Sequence, residues 1–164
     1  MLQLVEARYQ SPLVFERTLR PATGLPEPSL AGDVDEKLNV QVVYTSEASV
    51  LDAMREACVL AGNLRARIAL IVPQVVPYPL PLESPPILID FSERRLRQLA
   101  SLSPVETLVR IYLCRDASET LKKVLLPGPP VVICGRRRWW PTRERKLAHK
   151  LRKAGHEVVF KEMP

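Results

Sequence analysis

The residues with the most obvious chemical potential follow a short apolar segment, residues 131–134. Gly135 ends that segment, three arginines and two tryptophans occupy positions 136–140, and Pro141-Thr142 opens a predicted helix. Guanidinium groups bind phosphate through paired N–H donors, and indole rings stack on nucleobases. In an open α/β sheet, anions and nucleotides bind where the carboxyl end of a strand meets a helix N-terminus. These residue types, in this order, predict a site for a nucleotide or another phosphate-bearing ligand.

The cluster at positions 136–140 is open to three interpretations. Its arginines and tryptophans could hold a nucleotide or another anion. The basic helix that follows could contact RNA or DNA. Alternatively, the segment is structural, with one tryptophan covering the edge of a sheet and the basic side chains in water. Under the first interpretation, the candidate ligand-binding residues are Tyr44, Ser46, Gly135, Arg136, Arg138, Trp139, Trp140 and Thr142.

The positive charge of the chain is concentrated around this cluster. Of the 164 residues, 24 are lysine or arginine and 18 are aspartate or glutamate, for a formal net charge of +6. Residues 135–164 contain ten of the cations and three of the acids, so this segment alone carries +7. Arg143 and Arg145 fall in the first turn of the predicted helix, where the helix dipole disfavours a cation by ~0.3–1 kcal/mol. A bound anion or an acidic partner would offset that cost.

Other reactive side chains form no recognisable catalytic set. Cys58, Cys114 and Cys134 lie in apolar segments and are not within metal-ligand spacing of one another, so we expect buried free thiols in a reducing compartment. His149 and His156 have no Cys or Ser partner at a motif spacing, and no pair of carboxylates stands out. We therefore expect no metal site, no cofactor and no enzymatic activity.

Hydrophobic periodicity predicts five strands that alternate with four helices. Continuous apolar segments, typical of strands buried on both faces of a parallel sheet, predict strands at 40–44, 67–76, 106–113, 131–134 and 156–161. Apolar residues at helical spacing predict helices at 50–64, at 119–126 and from Thr142 to Gly155. A further short helix, capped by Asp90 or Ser92, contains Leu102 and is ended by Pro104. This alternation indicates right-handed crossovers and predicts a doubly wound α/β fold with a five-stranded, mainly parallel sheet.

The chain divides into an N-terminal arm, residues 1–37, and an α/β domain, residues 38–164. Prolines and glycines interrupt the arm between residues 12 and 32, so we expect it to lie partly extended on the domain or on a partner, or else to form a free tail. No apolar segment reaches the ~18 residues that a transmembrane helix needs, and the first residues do not resemble a secretory signal. We therefore expect a cytoplasmic protein without membrane contact.

The α/β domain resembles the universal stress protein family, whose fold is Rossmann-like and of the adenine nucleotide α-hydrolase type. The family opens with a strand, an Asp-Gly-Ser-Glu-like turn and an alanine-rich helix, and residues 44–47 with alanines at 53, 57 and 61 occupy those places. Val72-Pro73, Arg115-Asp116-Ala117 and Gly135 match later positions of the family pattern. The resemblance covers residues 38–164 and implies the same doubly wound fold.

The motif by which members of this family bind ATP is degenerate in this chain. Tyr44 stands where those members have the aspartate that holds the nucleoside. Of the family's Gly-x2-Gly-x9-Gly-Ser/Thr run, Gly135 retains the first glycine, whereas Arg138 replaces the second and Ala148-His149 replaces the terminal pair. Glycine is needed at such positions so that the backbone can approach phosphate closely. The resemblance therefore implies the fold without the family's ATP site.

Dimerisation is a further expectation from the resemblance, because members of the family commonly pair their last strands edge to edge. Val158, Val159 and Phe160 form an apolar edge that needs cover, so we expect a homodimer through these residues. The sequence thus predicts a non-catalytic, stress-response-type domain that acts through dimerisation and protein contacts. The alternative is a regulatory module that binds a nucleotide or phosphate ligand with the arginines and tryptophans of residues 136–140. Nucleic-acid binding is a further, weaker alternative.

Overall fold

The computed structural model describes residues 13–19 and 39–164, which form six strands and four helices. The strands are β1 (Leu13–Leu19), β2 (Asn39–Val43), β3 (Arg67–Val75), β4 (Thr107–Cys114), β5 (Val131–Arg136) and β6 (Val158–Met163). The helices are α1 (Glu47–Leu64), α2 (Ile89–Ser101), α3 (Ala117–Val124) and α4 (Arg143–Lys153). From β2 onward, strands and helices alternate as the sequence predicted.

The strands form one sheet in the order β1-β4-β3-β2-β5-β6. Strands β2 to β6 run parallel to one another, which confirms the predicted five-stranded, doubly wound α/β fold. From β2 the chain winds outward through β3 to β4, and it then returns to the other side of β2 to form β5 and β6. The carboxyl ends of β2 and β5 therefore flank the topological switch point, where sheets of this type bind their ligands.

Helices cover both faces of the sheet and build two separate cores. On one face, α1 and α2 pack against alternate strand residues such as Val42, Leu70 and Cys134. On the opposite face, α3 and α4 bring Leu121 and Leu151 against the intervening residues of the same strands. Because both faces are buried, the strands are apolar at consecutive positions, and this is the pattern by which the sequence predicted them.

The fifth strand is longer than the sequence indicated. Gly135 was expected to end it, but β5 continues to Arg136, so that prediction is wrong. The physical reason is pairing with β6, since Gly135 and Arg136 lie opposite Glu162 and Met163 in the parallel register. The extra residues carry Arg136 to the rim of the sheet.

Three of the four helix caps fall on residues that the sequence offers as cap candidates, the first being Ser46 of the polar turn 45–49, which caps α1. Thr142 caps α4 and Asp116 caps α3, each through a side-chain oxygen that accepts from a backbone N–H three residues on. The expected cap of α2 by Asp90 or Ser92 is wrong, because α2 begins at Ile89 and the preceding leucine makes no side-chain cap. Helix α1 begins at Glu47, three residues earlier than expected.

One segment of the predicted arm contributes to the sheet. Strand β1 pairs antiparallel with β4, with Leu13 opposite Leu113 and Leu19 opposite Thr107. The rest of residues 1–37 lies outside the described residues. Within the described ranges, no helix is both long enough and apolar enough to cross a membrane.

Candidate functional site

A cleft lies at the topological switch point, between the N-termini of α1 and α4 and beside the carboxyl end of β5. This switch-point cleft has a volume of about 600 Å³, within the roughly 300–1,000 Å³ typical of small-ligand sites. Its lining residues are Ser46, Ala48, Ser49, Arg136, Arg138, Trp140, Pro141, Thr142, Arg143 and Glu144. Five of the eight residues named from the sequence are therefore brought together here: Ser46, Arg136, Arg138, Trp140 and Thr142.

The first turn of α1, which contributes Ala48 and Ser49 to the lining, leaves two backbone donors without a partner inside the helix. Ser46 Oγ accepts a hydrogen bond from the Ser49 backbone N–H at 3.3 Å, and the Ser46 carbonyl accepts from Val50 N–H at 2.9 Å. The N–H groups of Glu47 and Ala48 have no partner inside the helix, as expected for a helix start. The positive end of the helix dipole adds to their affinity for an anion.

The first turn of α4 repeats this arrangement on the opposite side of the cleft. Thr142 Oγ1 accepts from the Arg145 N–H at 3.3 Å, and the Thr142 carbonyl accepts from the Lys146 N–H at 3.0 Å. The N–H groups of Arg143 and Glu144 remain for a ligand or water. Two helix N-termini therefore converge on one space.

Side-chain charge adds to the positive field of the helix ends. Arg136, Arg138 and Arg143 line the cleft against one acidic side chain, Glu144, so the lining carries a net charge of +2. None of these three arginines forms an ion pair with a described residue. The other acidic residue of this region, Glu47, is held by an ion pair with Arg95 on α2. The arginines of the lining are therefore not neutralised by the acidic side chains around them, and the net positive charge attracts an anion.

Gly135 lies beneath the cleft and serves the packing of α4. A Cβ added to Gly135 would stand 2.9 Å from Glu144 Cβ and 3.0 Å from Phe160 Cζ, closer than side chains normally approach. The glycine is therefore required because α4 and β6 press against β5 at this point. Gly135 is buried and does not line the cleft. Packing, and not contact with a phosphate, therefore accounts for a glycine at the position that matches the first glycine of the family's ATP motif.

The two tryptophans of the chain stand in solvent at the mouth of the cleft. Trp139 is 94% exposed and Trp140 is 78% exposed. Trp140 lines the cleft, whereas Trp139 does not. Neither indole covers the edge of the sheet, so the structural interpretation of the tryptophans is wrong.

Tyr44 lies at a different place from the other candidate residues. It lines a second cleft, the α2 cleft, with an apolar floor formed by Val72 and Leu96 and walls that include Ile87 and Phe91. The volume of the α2 cleft is about 180 Å³, below the range of most small-ligand sites. Tyr44 and the arginine cluster therefore belong to separate clefts.

The thiols and imidazoles are placed outside the switch-point cleft. All three cysteines are free, and Cys134 is fully buried. Burial raises the pKa of Cys134 to about 11, and the nearby Asp52 carboxylate adds to the effect. His149 is exposed on α4 and His156 is buried after its end. Among the described residues, no group of three or more His, Cys, Asp or Glu side chains could hold a metal ion.

Five residues of the cleft lining were missing from the site predicted from the sequence, namely Ala48, Ser49, Pro141, Arg143 and Glu144. Ala48 and Ser49 belong to the first turn of α1. The sequence placed them in a polar turn with several possible N-cap residues, and identifying Ser46 as the cap would have located them in the helix. Arg143 was noted for its unfavourable position near a helix dipole, which suggested a bound anion or an acidic partner, but it was not named as a residue of the site. Its place in the lining explains that position, since the charge faces the cleft.

No protein-family model matches the sequence, and no curated protein matches it either. Membership of the universal stress protein family therefore stays a prediction.

Proposed function

We propose that this domain is a non-catalytic regulatory module that binds a phosphate-bearing ligand in the switch-point cleft. The observation that carries the proposal is the convergence of three arginines and two helix N-termini on one cleft. Backbone N–H groups at a helix start and guanidinium forks are the two donor types that proteins most often use for phosphate. Their combination gives an anion several donors without requiring a glycine-lined loop.

A nucleotide fits the arrangement better than inorganic phosphate alone. Trp140 stands beside Arg138 in the lining and presents an exposed ring. A phosphate held between the two helix starts would leave the base free to stack on this indole. The phosphate would be held by side chains and by the N–H groups of residues 47, 48, 143 and 144.

The lining residues favour binding over catalysis. The hydroxyls of Ser46 and Thr142 are engaged as helix caps, and Ser49 Oγ lies 2.8 Å from Ser46 Oγ. No histidine or cysteine lines the cleft to activate one of these hydroxyls as a nucleophile.

The proposal is tested by titrating ATP, AMP and pyrophosphate while following tryptophan fluorescence, since both tryptophans lie at the cleft. We expect a saturable change with at least one of these ligands. Arg136→Gln should weaken binding about 10- to 100-fold, because a hydrogen bond to a charged group contributes ~1.5–3 kcal/mol. Arg94→Gln, an exposed arginine on α2, is the matched control and should leave affinity unchanged. A flat response to all three ligands, or equal losses in both variants, would refute the proposal.

A second proposal concerns assembly through the edge of β6. The carbonyls of Glu157 and Met163 accept from the backbone N–H groups of Val131 and Arg137, so these residues face β5. Because the backbone groups of successive strand residues point to opposite edges of the strand, the N–H and C=O groups of residues 158, 160 and 162 point away from β5. Arg152 donates to the Val158 carbonyl at 2.9 Å and covers it. The backbone of residues 160 and 162 is therefore the part of this edge that a second copy would pair with.

This dimer is tested by light scattering on two variants at one position. Glu162→Pro removes the outward N–H, whereas Glu162→Gln keeps it, and both variants lose the ion pair with Arg145. We expect the proline variant to be monomeric and the glutamine variant to dimerise like the parent chain. If the parent chain and both variants have the same mass in solution, the edge of β6 is not the dimer interface.

A further inference from the structure

A row of cations runs along the exposed face of α4. Arg143, Lys146, Lys150 and Lys153 are spaced by three, four and three residues, which places them on one side of the helix. The row is about 15 Å long at 1.5 Å per residue. All four side chains are exposed, and none has an ion-pair partner among the described residues.

The other arginines of α4 are used within the fold, which sets this row apart. Arg145 pairs with Glu162, and Arg152 donates to the Val158 carbonyl. The row therefore contains the cations of this helix that pair with none of the residues the structure describes. Four like charges on one face repel one another, and an extended polyanion would relieve that repulsion.

The tandem tryptophans continue the row beyond the N-terminus of α4. Two residues separate Trp140 from Arg143 and three separate Trp139 from it, and both rings are open to solvent. Two large aromatic side chains exposed side by side are unusual on a surface that binds nothing. We call Trp139, Trp140 and the four cations the basic ridge.

We propose that the basic ridge binds single-stranded nucleic acid. Proteins that bind single strands combine a line of positive charge along the backbone with aromatic rings on which bases stack, and the ridge supplies both in sequence. This inference goes beyond the ligand in the switch-point cleft, because Trp139, Lys146, Lys150 and Lys153 lie outside that cleft.

An anionic membrane is a poorer fit for the same surface. A helix that lies on a membrane inserts its apolar face, but the apolar residues of α4, namely Leu147, Ala148 and Leu151, pack against the sheet. Only the two indoles would remain for insertion. Duplex RNA also fits poorly, because its bases are already stacked and are not open to the tryptophans.

The test is fluorescence anisotropy of a labelled ten-nucleotide oligo-U RNA, titrated with the full chain at several salt concentrations. Replacing Lys146, Lys150 and Lys153 together by glutamine should weaken binding at least tenfold. It should also lower the slope of log affinity against log salt by about 2, at roughly 0.7 per lost phosphate contact. The matched control replaces Arg55, Arg94 and Arg97 by glutamine, which changes net charge equally on α1 and α2 and should leave affinity within about twofold.

Stacking is tested at Trp139. Trp139→Ala should weaken RNA binding roughly five- to 100-fold, and Trp139→Phe should retain most of the affinity. The proposal fails if the parent chain binds no RNA, if duplex RNA binds as tightly as the single strand, or if both charge variants lose affinity equally. It also fails if vesicles containing phosphatidylserine bind in a Trp139-dependent way while RNA does not.

The ridge and the cleft are separable in the same protein preparations. Arg136→Gln should lose pyrophosphate binding and keep RNA binding, whereas the triple lysine variant should do the reverse. The ridge shares Trp140 and Arg143 with the cleft, but its three lysines lie outside it. Loss of both activities in both variants would contradict the assignment of separate roles to Arg136 and to these lysines.

Discussion

The two clefts at the carboxyl edge of the sheet differ in charge although they lie on either side of the same strand, β2. The switch-point cleft gathers three arginines and two helix N-termini. The α2 cleft is mainly apolar, and Arg95, the cation in its lining, is paired with Glu47. Glu47 therefore neutralises the cation of the α2 cleft, and its carboxylate is not available to neutralise the arginines of the switch-point cleft. The topology sets this difference, since only the switch point brings two helix N-termini together.

The floors of the two clefts also differ in construction. Beneath the α2 cleft, Leu96 is 4% exposed and fills space between the helix and the sheet. Beneath the switch-point cleft, Gly135 leaves no room for a side chain, and the helix approaches the strand directly. Substitutions in the two floors should therefore lower stability by opposite mechanisms. Shortening Leu96 would leave a cavity, whereas adding a side chain at Gly135 would overpack the contact between helix and strand.

The largest effect is expected from Leu96→Ala in the floor of the α2 cleft. Removing a buried leucine side chain leaves a cavity and should lower the free energy of unfolding by about 2–5 kcal/mol. Urea denaturation measures this loss. The folded fraction should bind pyrophosphate like the parent chain, because the switch-point cleft does not depend on this leucine. A loss of affinity without a loss of stability would mean that the two clefts are coupled.

Gly135→Ala should lower the free energy of unfolding by roughly 1–3 kcal/mol, since the added methyl group overpacks Glu144 and Phe160. Gly62→Ala, within α1, is the matched control, because nothing lies within 4 Å of its added Cβ. The control should be neutral or more stable by up to about 1 kcal/mol. Equal effects in the two variants would show that α4 does not press on β5 as described.

A smaller effect is expected from the pH dependence that Cys134 contributes. Above pH 9.0, the ordinary pKa of the thiol, the unfolded chain releases the proton, whereas the native chain holds it to about pH 11. The unfolded state then binds fewer protons, so this group makes stability fall as pH rises, by at most ~1.4 kcal/mol per pH unit. Stability measured between pH 8 and 10.5 should fall less steeply in Cys134→Ala. Parallel curves would show that the thiol is not held in a dry environment.

Sequence periodicity predicted the fold well because burial on both faces leaves a local signature. Strands such as β3 and β5 are apolar at consecutive positions, and Thr142 and Asp116 are recognisable caps. The order of the strands carries no such signature, and neither does the antiparallel pairing of β1 with β4. Both depend on contacts between residues that are far apart in the chain.

The candidate site was predicted in part for the same reason. The cluster at 136–140 is contiguous, so its arginines and Trp140 could be named from sequence. Tyr44 was grouped with them but lines the α2 cleft, because the cleft that a residue following β2 lines depends on how the strand packs. Arg143 could not be assigned, since its approach to Arg136 requires the turn between β5 and α4. The function of Gly135 was likewise hidden until Phe160 was placed beside it.

The central claim, that the switch-point cleft binds an anion between two helix starts, is tested most directly at Ala48. Ala48→Glu places a carboxylate in the first turn of α1, where the dipole favours it, so the fold should keep its stability. The carboxylate would repel a bound phosphate, since two unit charges about 6 Å apart interact by about 3 kcal/mol at an effective dielectric constant of 20. Ala48→Gln supplies the same bulk without charge.

The measurement is calorimetric titration of pyrophosphate into the parent chain and these two variants at equal ionic strength. We expect Ala48→Glu to lose at least about tenfold in affinity and Ala48→Gln to lose little, with unchanged melting temperatures for both. Equal affinities in the parent chain and Ala48→Glu would contradict the claim that the anion lies in this cleft.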